Sequence, residues 1–105
     1  MITRSEIRNL LANNDRAIMR ALVVLWENQL SDERVQLESK YHNQNGFRKH
    51  DAYKGTLDAE YFLTYGILPA DRIAYWRAPT KQGLRIECYW RQLVASAERK
   101  KQNRG

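Results

Sequence analysis

The sequence is poor in the residues that build disulfide, metal and cofactor sites. It contains one cysteine, Cys88, and two histidines among 105 residues. A lone cysteine excludes an intramolecular disulfide and a zinc site made of several cysteines. With five glycines and two prolines, the chain also has no glycine-rich nucleotide loop, nucleophile elbow or recognisable pair of hydrolase carboxylates. These absences argue against most enzyme classes, so we predict a non-enzymatic protein with no cofactor and no metal.

Long apolar runs are missing as well. The longest wholly apolar run covers residues 21–26, whereas a membrane-spanning helix needs roughly 20 apolar residues. The N-terminus has no apolar stretch like that of a signal peptide. We therefore expect a cytoplasmic protein that makes no membrane contact. The length predicts a single helical domain, residues 1–105, with a basic tail at about residues 100–105.

The apolar residues that are present recur mostly at helical spacing. Thr3 and Glu6 have the spacing of a capping box before a first helix, and Asn14 is suited to cap a second. The second helix has one apolar face and further valines on the opposite side, which is typical of a central helix. The apolar face consists of Ile18, Ala21, Leu22, Leu25 and Trp26. We expect this helix to reach about Lys40 and Trp26 to be a core residue.

The second half of the chain predicts three further helices and no strands. A third helix runs from about Asp51 or Thr56 to Tyr65, and Gly66 has the place of a left-handed C-cap. A fourth begins at Pro69 and ends before Pro79, because proline suits a first helical turn and disfavours helix in the residue before it. A fifth runs from about Lys81 to Lys100. The predicted fold class is all-α, a compact single-domain bundle of four to five helices.

The segment YHNQNGFRKHDAYKG, residues 41–55, contains both histidines. Its candidate metal ligands are His42, His50 and Asp51. The two histidines are eight residues apart with a glycine turn between them, and this spacing does not place both imidazoles on one helical face. The order of histidine and asparagine residues in this segment also suggests an HNH nuclease. Such a nuclease requires a β-hairpin that the sequence does not predict. We set both interpretations aside. Residues 43–46 have the composition of a turn.

The same segment divides by side-chain type into residues that serve the fold and residues that face outward. Gly46 permits a positive φ, Phe47 is suited to enter the core, and Asp51 to cap the following helix. The remaining bases form a cluster near Tyr53: Arg48, Lys49 and Lys54. Bases beside aromatic rings are what phosphate contact and base stacking require. The alternative is that these charges are only solvated.

The net charge of +6 is concentrated at the C-terminal end, where the last 25 residues have a balance of +5. On the predicted fifth helix, Glu87 and Arg91 form an i,i+4 pair that neutralises one flank. The other flank is a stripe without acids: Lys81, Arg85, Gln92 and Arg99. Lys100 and Lys101 extend the positive charge into the tail. We predict that these residues, with the loop cluster, contact nucleic-acid phosphates.

Three pieces of the sequence are similar to a group of small, uncharacterised proteins of bacteriophages and plasmids. They are NDRAIMRALVVLWENQLSDE at residues 14–33, HNQNGFRKHDA at residues 42–52, and a scattered tail pattern. The tail pattern comprises Gly66, Leu68, Arg72, Ala74 and Arg91-Gln92-Leu93. Together they span most of the chain. The resemblance implies a setting among mobile genetic elements and no particular activity.

Two functions from different classes follow from these features. The first is a non-enzymatic nucleic-acid-binding accessory protein of a phage or plasmid, which contacts mainly phosphates because no helix-turn-helix reader is recognisable. The alternative is a protein-binding modulator or inhibitor that docks on a host defence or nucleoprotein complex through exposed tyrosines and tryptophans. The salt dependence of binding distinguishes these two functions, because binding to phosphates weakens steeply as the salt concentration rises.

Overall fold

The computed structural model describes residues 2–39, 46–81 and 83–103, without the side chains of residues 31–39 and 101–103. Over these residues the fold is all-α, as the sequence predicts. The α-helices are α1 (Arg4–Asn13), α2 (Asp15–Ser39), α3 (Ala52–Tyr65), α4 (Ala70–Arg77) and α5 (Trp90–Asn103). Between α4 and α5 lie strands β1 (Pro79–Thr80) and β2 (Gly83–Leu84) and a 3-10 helix (Arg85–Tyr89). His42 and residues 43–45 of the turn predicted at residues 43–46 lie outside the described residues.

The first two helices begin at the predicted caps. The Thr3 hydroxyl accepts a hydrogen bond from the backbone N–H of Glu6 at 3.2 Å. The Asn14 side-chain oxygen accepts from the backbone N–H groups of Arg16 and Ala17 at 3.0 and 3.3 Å. These side chains satisfy N–H groups that have no partner within a helix's first turn. The short polar stretch therefore separates α1 from α2 without a proline or glycine.

Helix α2 is the central element, because it packs against each of the other four α-helices. Ile18, Leu22 and Leu25 are fully buried along its predicted apolar face. Trp26 is only half-buried, so its predicted place in the core is wrong. One residue beyond Leu25 is turned by about 100° around the helix, which carries Trp26 to the edge of the buried face. The fully buried tryptophan is Trp76 of α4.

Trp76 occupies the middle of an aromatic group that joins three parts of the chain. Its ring centroid lies 5.8 Å from that of Phe47 and 5.1 Å from that of Tyr75. Phe47 is buried, as predicted, and it reaches the core across Gly55 of α3. A Cβ on Gly55 would lie 2.5 Å from the Phe47 ring. The absent side chain at residue 55 is therefore what lets segment 46–51 pack directly on α3.

The ends of α3 and α4 agree with the sequence. Gly66 is the left-handed C-cap of α3, with φ +76°. Pro69 is the N-cap of α4, and that helix ends at Arg77, two residues before Pro79. Proline without an N–H is tolerated at a helix start, where that group has no partner. Leu68, between the two caps, is buried and ties this connection to the core.

A hairpin replaces the first turns of the predicted fifth helix. Strands β1 and β2 pair antiparallel, with Pro79 opposite Leu84 and Thr80 opposite Gly83. Gly83 has φ +104°, which an α-helix does not accommodate. The prediction of a helix from Lys81 and the prediction of no strands are both wrong. The α-helix begins only at Trp90, after the 3-10 helix.

No helix in the described part of the chain is both long and apolar enough to cross a bilayer.

Candidate nucleic-acid interface

Segment 46–51 is held to the fold by Gln92. The Gln92 side-chain oxygen accepts from the backbone N–H of Gly46 at 2.7 Å, and its amide donates to the Gly46 carbonyl at 3.1 Å. Asn28 of α2 donates to the same oxygen at 3.1 Å. Gly46 has φ +90°, the positive φ predicted for it. The Gln92 side-chain amide therefore makes its hydrogen bonds within the fold. Its predicted place on an outward phosphate-binding stripe is wrong.

A second anchor of the segment is the buried pair of Asp51 and Tyr89. The Tyr89 hydroxyl donates to the Asp51 carboxylate and accepts from the backbone N–H of Arg48 at 3.1 Å. Asp51 stands at the N-cap position of α3 but makes no side-chain capping bond, so the predicted capping role is wrong. Burial, with the hydrogen bond to Asp51, raises the pKa of Tyr89 far above its ordinary value. The tyrosine is thus a neutral donor at any working pH.

Two half-buried bases from separate parts of the chain, Lys54 of α3 and Arg85 of the 3-10 helix, meet at the Tyr75 ring. Lys54 Nζ lies 3.5 Å from the centroid of the Tyr75 ring, and Arg85 Cζ lies 4.4 Å from the same centroid. Arg48 is exposed, with its Cζ 5.9 Å from the centroid of the Tyr89 ring. Lys49 is exposed in the turn before α3. We call these four residues the cationic pad: Arg48, Lys49, Lys54 and Arg85.

The acids closest to the pad in sequence point inward. Asp51 and Asp58 are 2% and 1% exposed. Asp58 accepts from Arg72 at 2.6 Å and from the Trp76 indole N–H at 2.8 Å. Among the described side chains, the exposed Asp71 lies at the edge of the pad, where it lines, with Lys54, a depression of about 450 Å³. Because Asp51 is turned inward, the exposed charges within residues 46–54 are positive.

The predicted C-terminal stripe does not exist as one face. It required a continuous helix from Lys81, whereas α5 starts at Trp90. Lys81 is exposed beside the hairpin, and Arg85 lies on Tyr75. Arg99 and Lys100 are exposed near the end of α5, and the side chain of Lys101 lies outside the described residues. Of the stripe, only Arg85 joins the loop cluster.

Glu87 does not pair with Arg91 as predicted. It is fully buried and accepts from Arg4 Nε at 2.9 Å and from Arg8 Nε and NH2 at 2.9 and 2.8 Å. The backbone N–H of Leu84 also donates to it, at 3.2 Å. The Arg8 hydrogen bond is the main cause that lowers the pKa of Glu87 to about 2. The network ties α1 to the 3-10 helix.

One signal for the Glu87 contacts was present in the sequence and was missed. Arg4 and Arg8 are four residues apart on one helix face, where like charges repel unless an acid lies between them. That spacing points to a carboxylate from elsewhere in the chain. Tyr75, which holds Lys54 and Arg85 together, has no comparable local signal.

The residues with metal-binding or nucleophilic chemistry are dispersed. Within residues 2–30, 46–81 and 83–100, no three side chains of histidine, cysteine, aspartate or glutamate group to hold a metal ion. His50 is largely exposed, with Nε2 3.7 Å from the Asp51 carboxylate, and His42 lies outside the described residues. Cys88 is half-buried, and burial raises the pKa of its thiol. A raised pKa disfavours the reactive thiolate.

Comparisons with protein-family models, curated proteins and solved structures each returned no match. The resemblance to small bacteriophage and plasmid proteins therefore stays a prediction from the sequence.

Proposed function

We propose that this protein binds nucleic acid through the cationic pad, as a non-enzymatic accessory protein of a phage or plasmid that acts in the cytoplasm. Binding is mainly to the phosphate backbone. It is weakly sequence-specific, because phosphate contacts carry no sequence information directly.

The observation that supports this proposal is the convergence of cations from separate parts of the chain around two tyrosine rings. Lys54 of α3 and Arg85 of the 3-10 helix share Tyr75, and Arg48 lies near Tyr89. Bases beside aromatic rings suit contact with a phosphate backbone together with base stacking. Tyr53, 80% exposed beside Lys54, adds a ring on which a base can stack.

The test is the salt dependence of binding to a short single-stranded oligonucleotide. Arg48→Glu with Lys49→Glu leaves the melting temperature nearly unchanged, because both side chains are exposed. Affinity falls, and the slope of log affinity against log salt becomes shallower by roughly one unit per lost contact.

The matched control is Arg16→Glu with Arg20→Glu, which changes the net charge by the same amount at two exposed positions on α2. The control keeps most of the affinity if the pad is the site. Equal losses in the two double variants would show that only the overall charge matters. An unchanged slope in the Arg48 and Lys49 variant would remove the pad from the binding surface.

A second candidate function, docking on another protein, has an observation of its own on α3. Four side chains spaced four residues apart form an exposed strip. We call them the tyrosine strip: Tyr53, Leu57, Tyr61 and Tyr65, which are 80%, 43%, 40% and 66% exposed. Their exposed area is on the order of 400 Å², about as large as the largest patch on a typical monomer. A strip about 18 Å long along one helix suits the apolar face of a partner helix.

This alternative, a modulator docked on a host defence or nucleoprotein complex, is tested by recovery of a partner from the host after nuclease treatment and at high salt. Tyr53→Ala with Tyr65→Ala abolishes recovery if the strip is the contact, while Leu10→Ala, at an exposed leucine of α1, does not. Recovery that persists in the tyrosine variant, or that nuclease removes, would contradict strip docking. Self-association that the tyrosine variant loses would assign the strip to a second copy of the chain.

A further inference from the structure

A second positively charged surface lies between the start of α1 and the β-hairpin. It is a depression of about 590 Å³, lined by Arg4, Arg8 and Lys81 together with hairpin residues and Glu87. No residue of the cationic pad lines it. The guanidinium-bearing side chains of Arg4 and Arg8 are 41% and 50% exposed, so both reach solvent as well as Glu87.

The base of this depression is a buried carboxylate that fixes the positions of the arginines around it. Glu87 has no exposed surface and holds the two arginines by hydrogen bonds of 2.8–2.9 Å. The hairpin backbone closes on it at Gly83, where a Cβ would lie 2.4 Å from Glu87 Oε1. The guanidinium groups are therefore already oriented before any ligand arrives, which lowers the entropic cost of binding.

The charges of the residues that line the depression indicate the charge of the ligand that it would bind. Two arginines and Lys81 contribute three positive charges, and ionised Glu87 cancels one of them, which leaves +2. A phosphate monoester carries about −1.5 to −2 at pH 7, whereas each phosphodiester of a strand carries one negative charge. Half-exposed guanidinium groups also supply donors suited to phosphate oxygens. A monoester matches this charge better than a diester does.

We propose that the depression between α1 and the hairpin binds a phosphate monoester, either the terminal phosphate of a nucleic-acid strand or that of a free nucleotide. Glu87 positions Arg4 and Arg8, and Lys81 approaches the ligand from the hairpin. The site is separate from the cationic pad, so it does not depend on the proposed function of the pad.

The experiment compares one short single strand with a 5′-phosphate and with a 5′-hydroxyl, and a nucleoside 5′-monophosphate with its nucleoside. The wild-type protein prefers the phosphorylated strand by about fivefold, as expected for charged hydrogen bonds at a partly exposed site. Lys81→Gln removes one of the three cations and lowers that ratio, and it leaves the melting temperature unchanged because Lys81 is exposed. Lys49→Gln, the same substitution in the pad, weakens both strands equally and keeps the ratio.

The same experiment distinguishes the two sources of the phosphate, a free nucleotide and the end of a strand. Binding of the nucleoside monophosphate that weakens in Lys81→Gln supports a free nucleotide. Preference for the phosphorylated strand without such binding supports a strand end. A wild-type protein that distinguishes neither pair would overturn the site. A fivefold ratio that survives in Lys81→Gln would also overturn it. If Lys49→Gln has no effect on either strand but the ratio depends on Lys81, the pad fails and this site stands.

Discussion

Replacement of Glu87 by glutamine isolates the network that connects α1 to the 3-10 helix. The substitution keeps the shape of the side chain and removes the charge that Arg4 and Arg8 share. A pKa lowered from 4.5 to about 2 corresponds to about 3 kcal/mol of stabilisation. The two arginines are half-exposed, and screening by water reduces this to about 2 kcal/mol. In a domain of this size we expect Glu87→Gln to lower the melting temperature by about 10 °C at pH 7.

The pH dependence of this difference follows from the sign of the pKa shift. The pKa of Glu87 is lower in the folded protein, so its contribution is fully present above about pH 4.5 and is lost as pH falls towards 2. We therefore expect the difference in unfolding free energy between wild type and Glu87→Gln to fall, by pH 3, to less than about half of its value at pH 7.

Urea denaturation at pH 7, 5 and 3 measures these free energies directly. The control is Glu60→Gln, at an exposed glutamate of α3, which should change stability by less than about 0.5 kcal/mol at each pH. A Glu87→Gln protein as stable as wild type at pH 7 would refute the network's role. A difference of the same size at pH 7 and pH 3 would refute its electrostatic origin.

Two further predictions test the core and the hairpin. Trp76→Ala should destabilise the fold by about 3–5 kcal/mol, and Trp26→Ala by roughly half as much, because Trp76 is fully buried and Trp26 is not. Urea denaturation measures both losses. Equal losses would contradict the assignment of Trp76, rather than Trp26, to the core. Gly83→Ala should cost more than Gly66→Ala, for which about 1–2 kcal/mol of left-handed strain is expected. Both glycines have positive φ, but an added Cβ meets Glu87 only at residue 83 and open space at residue 66. Equal melting temperatures of the two alanine variants would show that the hairpin does not close on Glu87.

The features predictable from the sequence are those that neighbouring residues determine. Thr3, Asn14 and Gly66 act as caps within three or four residues of their partners. The buried face of α2 follows from the spacing of Ile18, Leu22 and Leu25 along one helix. Local chemistry and helical periodicity suffice for both.

The features that were missed depend on contacts between residues far apart in the chain. Glu87 bonds with Arg4 and Arg8 across 83 and 79 residues, so no local rule distinguishes these partners from Arg91. Strands of two residues have no alternating pattern to detect. The convergence of Lys54 and Arg85 depends on where α4 carries Tyr75. The cationic residues of the pad were identifiable, whereas their grouping required the fold.

The most direct test of the nucleic-acid proposal is a residue-by-residue titration, in which backbone amide NMR shifts are followed as a short single-stranded oligonucleotide is added. We expect the largest shifts at residues 47–54 and 84–86, which surround the cationic pad, and we expect these shifts to diminish as salt is raised. Shifts confined to Tyr61 and Tyr65 at the far end of the tyrosine strip, or no shifts at low salt, would contradict the proposal.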